Sequence, residues 1–539
     1  MTQGNFVSAG GLRLLILILF AAVFTQLCVQ ESKIKGRLSS APNYDDCTYF
    51  LEGAILLNDL KSDGVRGFFN YLNAPGPNGF HSPYSIILAA VSYDLFGPNE
   101  ASPYYGNALL VIIYLACLGW IFRSLPIPAW MFALALFLTP PFITMGVVEF
   151  RPDIAWAVSI GFGVVFTVTS EELFRNPRRA AVAGLFLALA LIIKPSTFVM
   201  TLLLYSGAIF SRVVAAVWEN RWRAASRKIL IGSLAFTGMV LVVAGPYWSR
   251  FGKEAISYFL ENSFGANKAI WVYQGSLSEF LFYYVAGVGA RSNVAIAGII
   301  LSLIALACLL YLAFKRPELR WKIISLLGLL AGAFAVNTVA QMKSAFLGGG
   351  IYGVWLFTCA YLLGTAFTSL QPEAANGRSF WRSILLAIAV VVTLLFYRWP
   401  EYSYWGKDRI GSANYRETNE QMKALLNQYI AQPPRRILFA QAGPIVMETT
   451  GLWFAFHHLK VQNGSAVFFR TEAQFRENYP DYSWIVLQEP GTMGFSSNMP
   501  SEGLLTQFEK IIKIDPNYRL IKEINSATGK KIWIYARGS

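Results

Sequence analysis

From Leu12 to about Tyr397, apolar runs alternate with short polar connectors. A helix of about 20 apolar residues crosses a bilayer core. The pattern therefore predicts eleven spans: 12–30, 104–122, 128–145, 154–170, 180–194, 197–215, 228–246, 292–314, 321–340, 350–368 and 381–398. One apolar segment fits no span. "SPYSIILAAVSYDLFG" at 82–97 is short, is interrupted by Tyr93 and Asp94, and is bounded by Pro83 and by Gly97-Pro98. Laid along the outer surface as an amphipathic or re-entrant helix, it leaves 31–103 as one large first external loop.

After Trp399-Pro400 the pattern changes. A helical period runs through "NYRETNEQMKALLNQYIAQ" and "SEGLLTQFEKIIKI", and "RRILFAQ", "SAVFFR", "YSWIVLQ", "YRLIKEI" and "KKIWIYAR" have the make-up of strands. The expected fold is a polytopic α-helical membrane protein of about 11 transmembrane helices over 1–399, with a small extracytoplasmic α/β domain over 400–539.

Composition supports this. Charged residues are 14% of the 539-residue chain, against about 25% in soluble domains. The net charge of +14 is a topology signal rather than a nucleic-acid footprint. Arg123, then Arg175, Arg178 and Arg179, then Arg212, Arg221, Arg223, Arg227 and Lys228, then Lys315, Arg316, Arg320 and Lys322, then Arg378 and Arg382 all fall on one side. With a cytoplasmic N-terminus, every cluster is inside. Counting 82–97 as a span would reverse the later ones. Arg13 precedes the first apolar run and no A-x-A site follows it, so a retained signal anchor is expected. Membrane lipids are expected partners and nucleic acid is not. Five cysteines, three of them in apolar helices, give no disulfide or metal framework, and three histidines are too few for a histidine-rich cage.

Once the orientation is set, the informative charges are the external ones. They are Asp45, Asp46, Glu52 and His81 in the first loop; Glu149, Arg151 and Asp153 in "EFRPDIAW"; Lys194 in "IIKPST"; Arg250, Lys253, Lys268 and Arg291 around the next external loop; and Lys343 in "AQMKSAFLGGG". Ionisable groups at membrane depth are costly and tend to mark function. Cations there suit a lipid phosphate and the charge that grows on it as its bond breaks; a carboxylate suits removal of a proton from an attacking hydroxyl. Plainer roles fit the same residues. Asp45 and Asp46 suit a helix start, Glu149, Arg151 and Asp153 a surface ion pair with capping, and Lys194 a snorkelling side chain.

The motifs, in order, resemble those of the GT-C class of integral-membrane glycosyltransferases, above all the protein O-mannosyltransferases and bacterial aminoarabinose transferases. "DDCTY" resembles the D-E-x-x-Y motif, "FHSPYSIILAAVSYDLFG" the K/H-P-P-L-Y segment with its short helix, "EFRPDIAW" the second-loop acidic motif, and "LALALIIKPS" the helix ending in L-T-K-G. The resemblance covers the first half of the chain, while later spans and the tail match in layout.

It implies transfer of a sugar from a polyprenyl-phosphate donor to a glycolipid, polysaccharide or protein acceptor at the outer face of a bacterial inner membrane. Asp45 stands at the position of the catalytic base, Asp46 is its acidic neighbour, and Asp153 is the second-loop acid. His81 and Lys194 fall where the donor phosphate is approached; Arg151 and Lys343 are further candidate phosphate ligands. Ser82 replaces a proline of the pattern and Pro195 a glycine. The class varies in metal use, so a divalent cation is possible at Asp153 but none is expected to be obligatory. Direct displacement would invert the anomeric configuration. Two other classes fit a polytopic chain: a non-enzymatic lipid or solute transporter, which would carry charges at mid-membrane in broken helices, and a catalytically inactive polysaccharide-assembly scaffold.

Overall fold

The computed structural model describes residues 4–35, 38, 45–73, 82–97, 99, 101–218, 226–265, 268, 272–273, 275–369, 437–442, 464–469, 471–489, 500–525 and 531–538. Twelve helices come first: α1 (Gly4–Lys35), α2 (Asp45–Asp63), α3 (Val65–Asn73), α4 (Pro83–Phe96), α5 (Ser102–Gly106), α6 (Ala108–Ile121), α7 (Ile127–Phe137), α8 (Pro141–Val148), α9 (Pro152–Thr169), α10 (Pro177–Ile193), α11 (Phe198–Trp218) and α12 (Ser226–Ser263). The long helices Ala295–Lys315, Arg320–Val339 and Gly349–Ser369 follow.

Eight helical segments are long and apolar enough to cross a membrane. Ten of the eleven expected spans coincide with helices: these eight, the 17-residue α10, and a bent pair. The pair corrects the span expected at 128–145, which is broken into α7 and α8 at an angle of 72°. Pro140 and Pro141 lie at the break; proline has no N–H for the ladder and its ring clashes with the preceding turn, and Pro141 instead starts α8. The span expected at 381–398, the helix expected at 414–432 and the domain boundary at 399/400 lie outside the described residues.

Two further expectations change. The span at 228–246 is only the first half of α12, whose 38 residues reach about 57 Å, longer than the bilayer core. Pro246 does not end it. Helix α4 has 14 residues and is too short to cross. It is not amphipathic, however: one face packs on α2 and the other exposes Ile87, Val91 and Leu95. An apolar surface at spacing i, i+4, i+8 fits a re-entrant or lipid-contacting helix rather than one facing water.

Helix α9 is the centre of the bundle. All but one of its residues are buried, among them Trp156, Phe162 and Phe166, as a helix apolar all round requires. It packs on α10, α11 and Gly349–Ser369. The last contact is backbone against backbone. A Cβ at Gly161 would overlap the carbonyl of Gly353, and one at Gly353 would overlap that of Ala157. Ala157 and Gly161 on one helix and Gly349 and Gly353 on the other form small-xxx-small stripes, which let membrane helices approach closely.

The helices end in two different chemistries. At one end Arg13 donates to the carbonyls of Arg123 and Leu125, Ser124 meets Thr368, and Arg316 donates to Ser369. At that same end of α9, Arg212 donates to the Glu171 carbonyl and Lys322 pairs with its carboxylate at 2.6 Å. Among the described residues, these basic connectors therefore gather at one end of the bundle, as their parity in the sequence requires. The acidic motifs begin α2 and α9 at the other end.

In the tail, β1 (Ile437–Ala442), β2 (Gly464–Phe469), β3 (Trp484–Gln488), β4 (Tyr518–Asn525) and β5 (Lys531–Arg537) form one sheet in the order β2-β1-β3-β5-β4, and each coincides with an expected strand. β1 is parallel to β2 and β3, and β5 is antiparallel to β3 and β4. Alternation along the strands sends Leu438, Ala440, Ile485 and Leu487 to Phe475, Phe508 and Ile512 of the helices Glu472–Asn478 and Pro500–Ile514. The first of these helices has too few turns to show a period in sequence; Thr471 caps it.

Close packing at the centre gives a test. Gly353→Ala should destabilise the protein by about 1–3 kcal/mol, the usual cost of overfilling a packed core. Gly328→Ala, where a Cβ meets nothing within 4 Å, should be neutral or slightly stabilising. Thermal unfolding of both variants in detergent measures the difference; equal effects would remove the close approach as a constraint.

Candidate active site

Three short irregular segments meet at the acidic end. The first is the connector between α8 and α9. Pro152 disfavours the helical region for Arg151 before it, and Arg151 and Glu149 are both extended, with φ of −122° and −120°. In extended chain, side chains alternate. Glu149 and Arg151 thus fall on one side and pair at 3.4 Å, while Phe150 points the other way. There it meets Phe50 of α2 at 5.2 Å and Tyr104 of α5 at 6.3 Å between ring centroids; Phe50 also contacts Tyr93 of α4. Edge-to-face contacts among these rings fasten the first loop to the second.

Asp46 completes that fastening. It is fully buried, and its Oδ2 accepts from the Tyr104 hydroxyl at 2.7 Å and from the Phe150 backbone N–H at 3.3 Å. A buried carboxylate in such bonds acts as a brace. Asp45 is the first residue of α2, immediately before this brace. On the far side of α2, the Tyr71 hydroxyl of α3 donates to buried Glu52 at 2.5 Å. Burial, and next the Glu52 carboxylate, push the Tyr71 hydroxyl pKa up. The Arg250 guanidinium of α12 then donates to the Asn73 carbonyl where α3 ends.

The second segment is the end of α10. Pro195 stops the helix one residue early, so Lys194 leaves the helix with φ −137° and ψ 80°. Its ammonium reaches Asp153 in the first turn of α9 and forms an ion pair and hydrogen bond with Oδ1. Asp153 also lies where the helix dipole favours negative charge. Beside this pair, the Ser82 hydroxyl donates to the Ile193 carbonyl at 3.0 Å and caps α4 by accepting from the Ser85 N–H. The "HSPY" and "IIKPS" motifs, more than a hundred residues apart, are thereby joined at Ser82. His81 itself lies outside the described residues.

The third segment is the 340–348 connector. Phe346 sits under the Arg151 guanidinium, 4.2 Å from its centre, a cation–π contact. Lys343 is in the same connector but does not join the charge cluster. It is buried, donates to the carbonyls of Asn337 and Thr338 at 2.7 Å each, and lies over the Phe280 and Tyr284 rings. Burial lowers its pKa to about 8.

The structure thus brings together Asp46, Arg151, Asp153 and Lys194 of the expected site residues, with Asp45 next to the first of them and Lys343 held by local partners. Sequence reasoning assigned no role to Tyr104 or Phe346, which hold Asp46 and Arg151; nothing in one sequence pairs an aromatic with a charge so distant from it. In the Glu149–Arg151 pair the carboxylate is buried and the guanidinium partly buried, so it is not a surface pair. Among the described residues, no group of three or more His, Cys, Asp or Glu side chains is placed to hold a metal ion.

Two measurements test this geometry. Tyr104→Phe strips a donor from a buried carboxylate and should cost about 1–3 kcal/mol, with a much smaller cost in an Asp46→Asn background; additive effects in thermal unfolding would show that the bond is unimportant. For Lys343 the sign runs upward with pH. Between about 8 and the ordinary 10.5, the unfolded chain holds a proton that the folded lysine has lost, so stability rises across that window. Lys343→Met should flatten the rise in melting temperature, and an unchanged slope would count against the burial of this charge.

No protein-family profile matches the chain, and no curated protein sequence matches it. Solved structures do. ArnT from Cupriavidus metallidurans bound to undecaprenyl phosphate superposes with a TM-score of 0.52 at 13% identity, covering 96% of this chain and 97% of that one. The apo state of the same protein gives a TM-score of 0.52 at 12% identity and covers 98% of both chains. At this identity the likeness is one of fold: the chain has the architecture of ArnT, an aminoarabinose transferase of the GT-C class, over nearly its whole length.

Proposed function

We propose that this protein is a glycosyltransferase that takes a sugar from a polyprenyl-phosphate donor and passes it to a hydroxyl-bearing acceptor. One observation carries the reading. Four motifs scattered between residues 45 and 194 meet at one end of the bundle, opposite the basic connectors, in a fold shared with a protein solved with undecaprenyl phosphate. The positive-inside rule supports an orientation in which that end faces away from the cytoplasm, with the site at the outer face of a bacterial inner membrane. A polyprenyl tail would stay in the bilayer with its phosphate at the interface, near α4 and its exposed apolar stripe.

In this mechanism Asp45 accepts the proton of the acceptor hydroxyl as its oxygen attacks the anomeric carbon. The bond from that carbon to the phosphate oxygen breaks, the electron pair leaves on the polyprenyl phosphate, and the configuration inverts. No general acid is needed, since a phosphate is already a good leaving group. Arg151 and Lys194 offset the charge that grows on the phosphate, and His81 is a further candidate phosphate ligand. Asp46, sealed from solvent, positions Asp45 and the second loop. Asp153, which holds Lys194, is the candidate acid on the acceptor side. A divalent cation is not obligatory in this scheme; one that bound Asp153 would have to displace the Lys194 ammonium. The acceptor class remains a glycolipid, polysaccharide or protein.

Transfer from a radiolabelled polyprenyl-phosphate sugar in membranes tests the proposal. Asp45→Asn should insert normally and lose activity by about a hundredfold or more, the scale of general-base catalysis. Full activity in this variant would remove Asp45 from the mechanism, and a product of retained configuration would exclude direct displacement.

A further inference from the structure

Both cations assigned to the donor phosphate are already engaged. Arg151 is held by Glu149 and by the Phe346 ring. Lys194 has Asp153 and, among the described residues, no other side-chain partner. The two pairs differ in how fixed they are. The guanidinium is a rigid plane with five donors, held between a carboxylate and a ring on a separate connector. The lysine is a single ammonium on a flexible stem, anchored where α10 ends. Its side chain is 13% exposed and that of Asp153 is 5% exposed, so the pair is largely desolvated. In such surroundings an ammonium that loses its carboxylate partner is costly.

Resting on the proposed donor reading, we infer that donor binding at this site is a counter-ion exchange: the lipid phosphate displaces the Asp153 carboxylate from Lys194, and Asp153 is freed for the acceptor side. The resting pair thus serves as an internal substitute for the phosphate. It keeps the ammonium neutralised while the site is empty, and it keeps Asp153 unavailable until the donor has arrived. The exchange orders the two substrates, donor before acceptor. It also predicts an effect opposite in sign to that of an ordinary ligand: removing Asp153 leaves the ammonium uncompensated in the empty site, so the incoming phosphate gains what the free protein has lost.

The test uses the full chain in detergent and measures binding of undecaprenyl phosphate, with undecaprenol as the uncharged control, by native mass spectrometry. Wild type should prefer the phosphate. Asp153→Asn should bind it about tenfold more tightly, and Lys194→Met about tenfold more weakly, the usual scale of coupling between contacting charges. In the Lys194→Met background, Asp153→Asn should give no gain. Asp153→Ser serves as a second replacement, since its smaller side chain leaves room for water beside the ammonium; it should also tighten binding, even if the amide variant does not fold. Folded Asp153 variants that bind the phosphate as wild type does, or more weakly, would overturn the exchange while leaving the donor site in place. A wild type with no preference for phosphate over alcohol would overturn both the exchange and the donor reading.

Discussion

The start of α9 is fixed from three directions, and the geometry of the acidic end depends on it. Glycine against glycine sets how close the helix lies to Gly349–Ser369, so the 340–348 connector and the Arg151 segment are brought together before any charge is considered. The Phe150 ring, on the opposite side of the same extended segment, packs against Phe50 and Tyr104. Lys194 reaches the first turn from α10. A shift of α9 along its axis would disturb all three contacts at once, and well-packed interiors resist such shifts because few voids are available to absorb them.

The charges could not be held without that packing. Glu149, Asp153 and Asp46 are all buried, and a buried carboxylate is tolerated only when hydrogen-bonded or paired. Each has a partner in another element or in the adjoining extended segment: Arg151, Lys194, or the Tyr104 hydroxyl with the Phe150 N–H. Removing one member of a buried ion pair costs about 3–5 kcal/mol. The charge networks of the proposed site therefore also support the fold. Lys343 shows the contrast: its ammonium ends on backbone carbonyls and aromatic faces rather than on a carboxylate, and it belongs to the bracing of its own connector.

Much of the architecture was legible because one solvent dominates the sequence. A bilayer demands long apolar helices with every backbone bond satisfied internally, which leaves a strong signal in runs such as "AIAGIILSLIALACLLYLAFK". The positive connectors recorded which ends belong together. The tail strands were legible from their β-branched and aromatic runs. Less legible were the break at Pro140-Pro141, whose angle depends on what the two halves pack against, and the extension of α12 past Pro246, where the chain remains helical after its apolar run has ended.

The sequence by itself determined the membrane class, the parity of the connectors, the position of each motif at a helix start or end, and the placement of the acids at the end opposite the basic clusters. These follow from local rules: hydropathy, proline stereochemistry and the preferences of helix termini. Only the tertiary structure decided which charge meets which. It joined Lys194 to Asp153, Asp46 to Tyr104 and Arg151 to Phe346, and it kept Lys343 apart. Such pairings depend on how closely α9, α10 and Gly349–Ser369 pack, and that distance is set by the absence of side chains at a few glycines, which no run of hydrophobic and polar residues records.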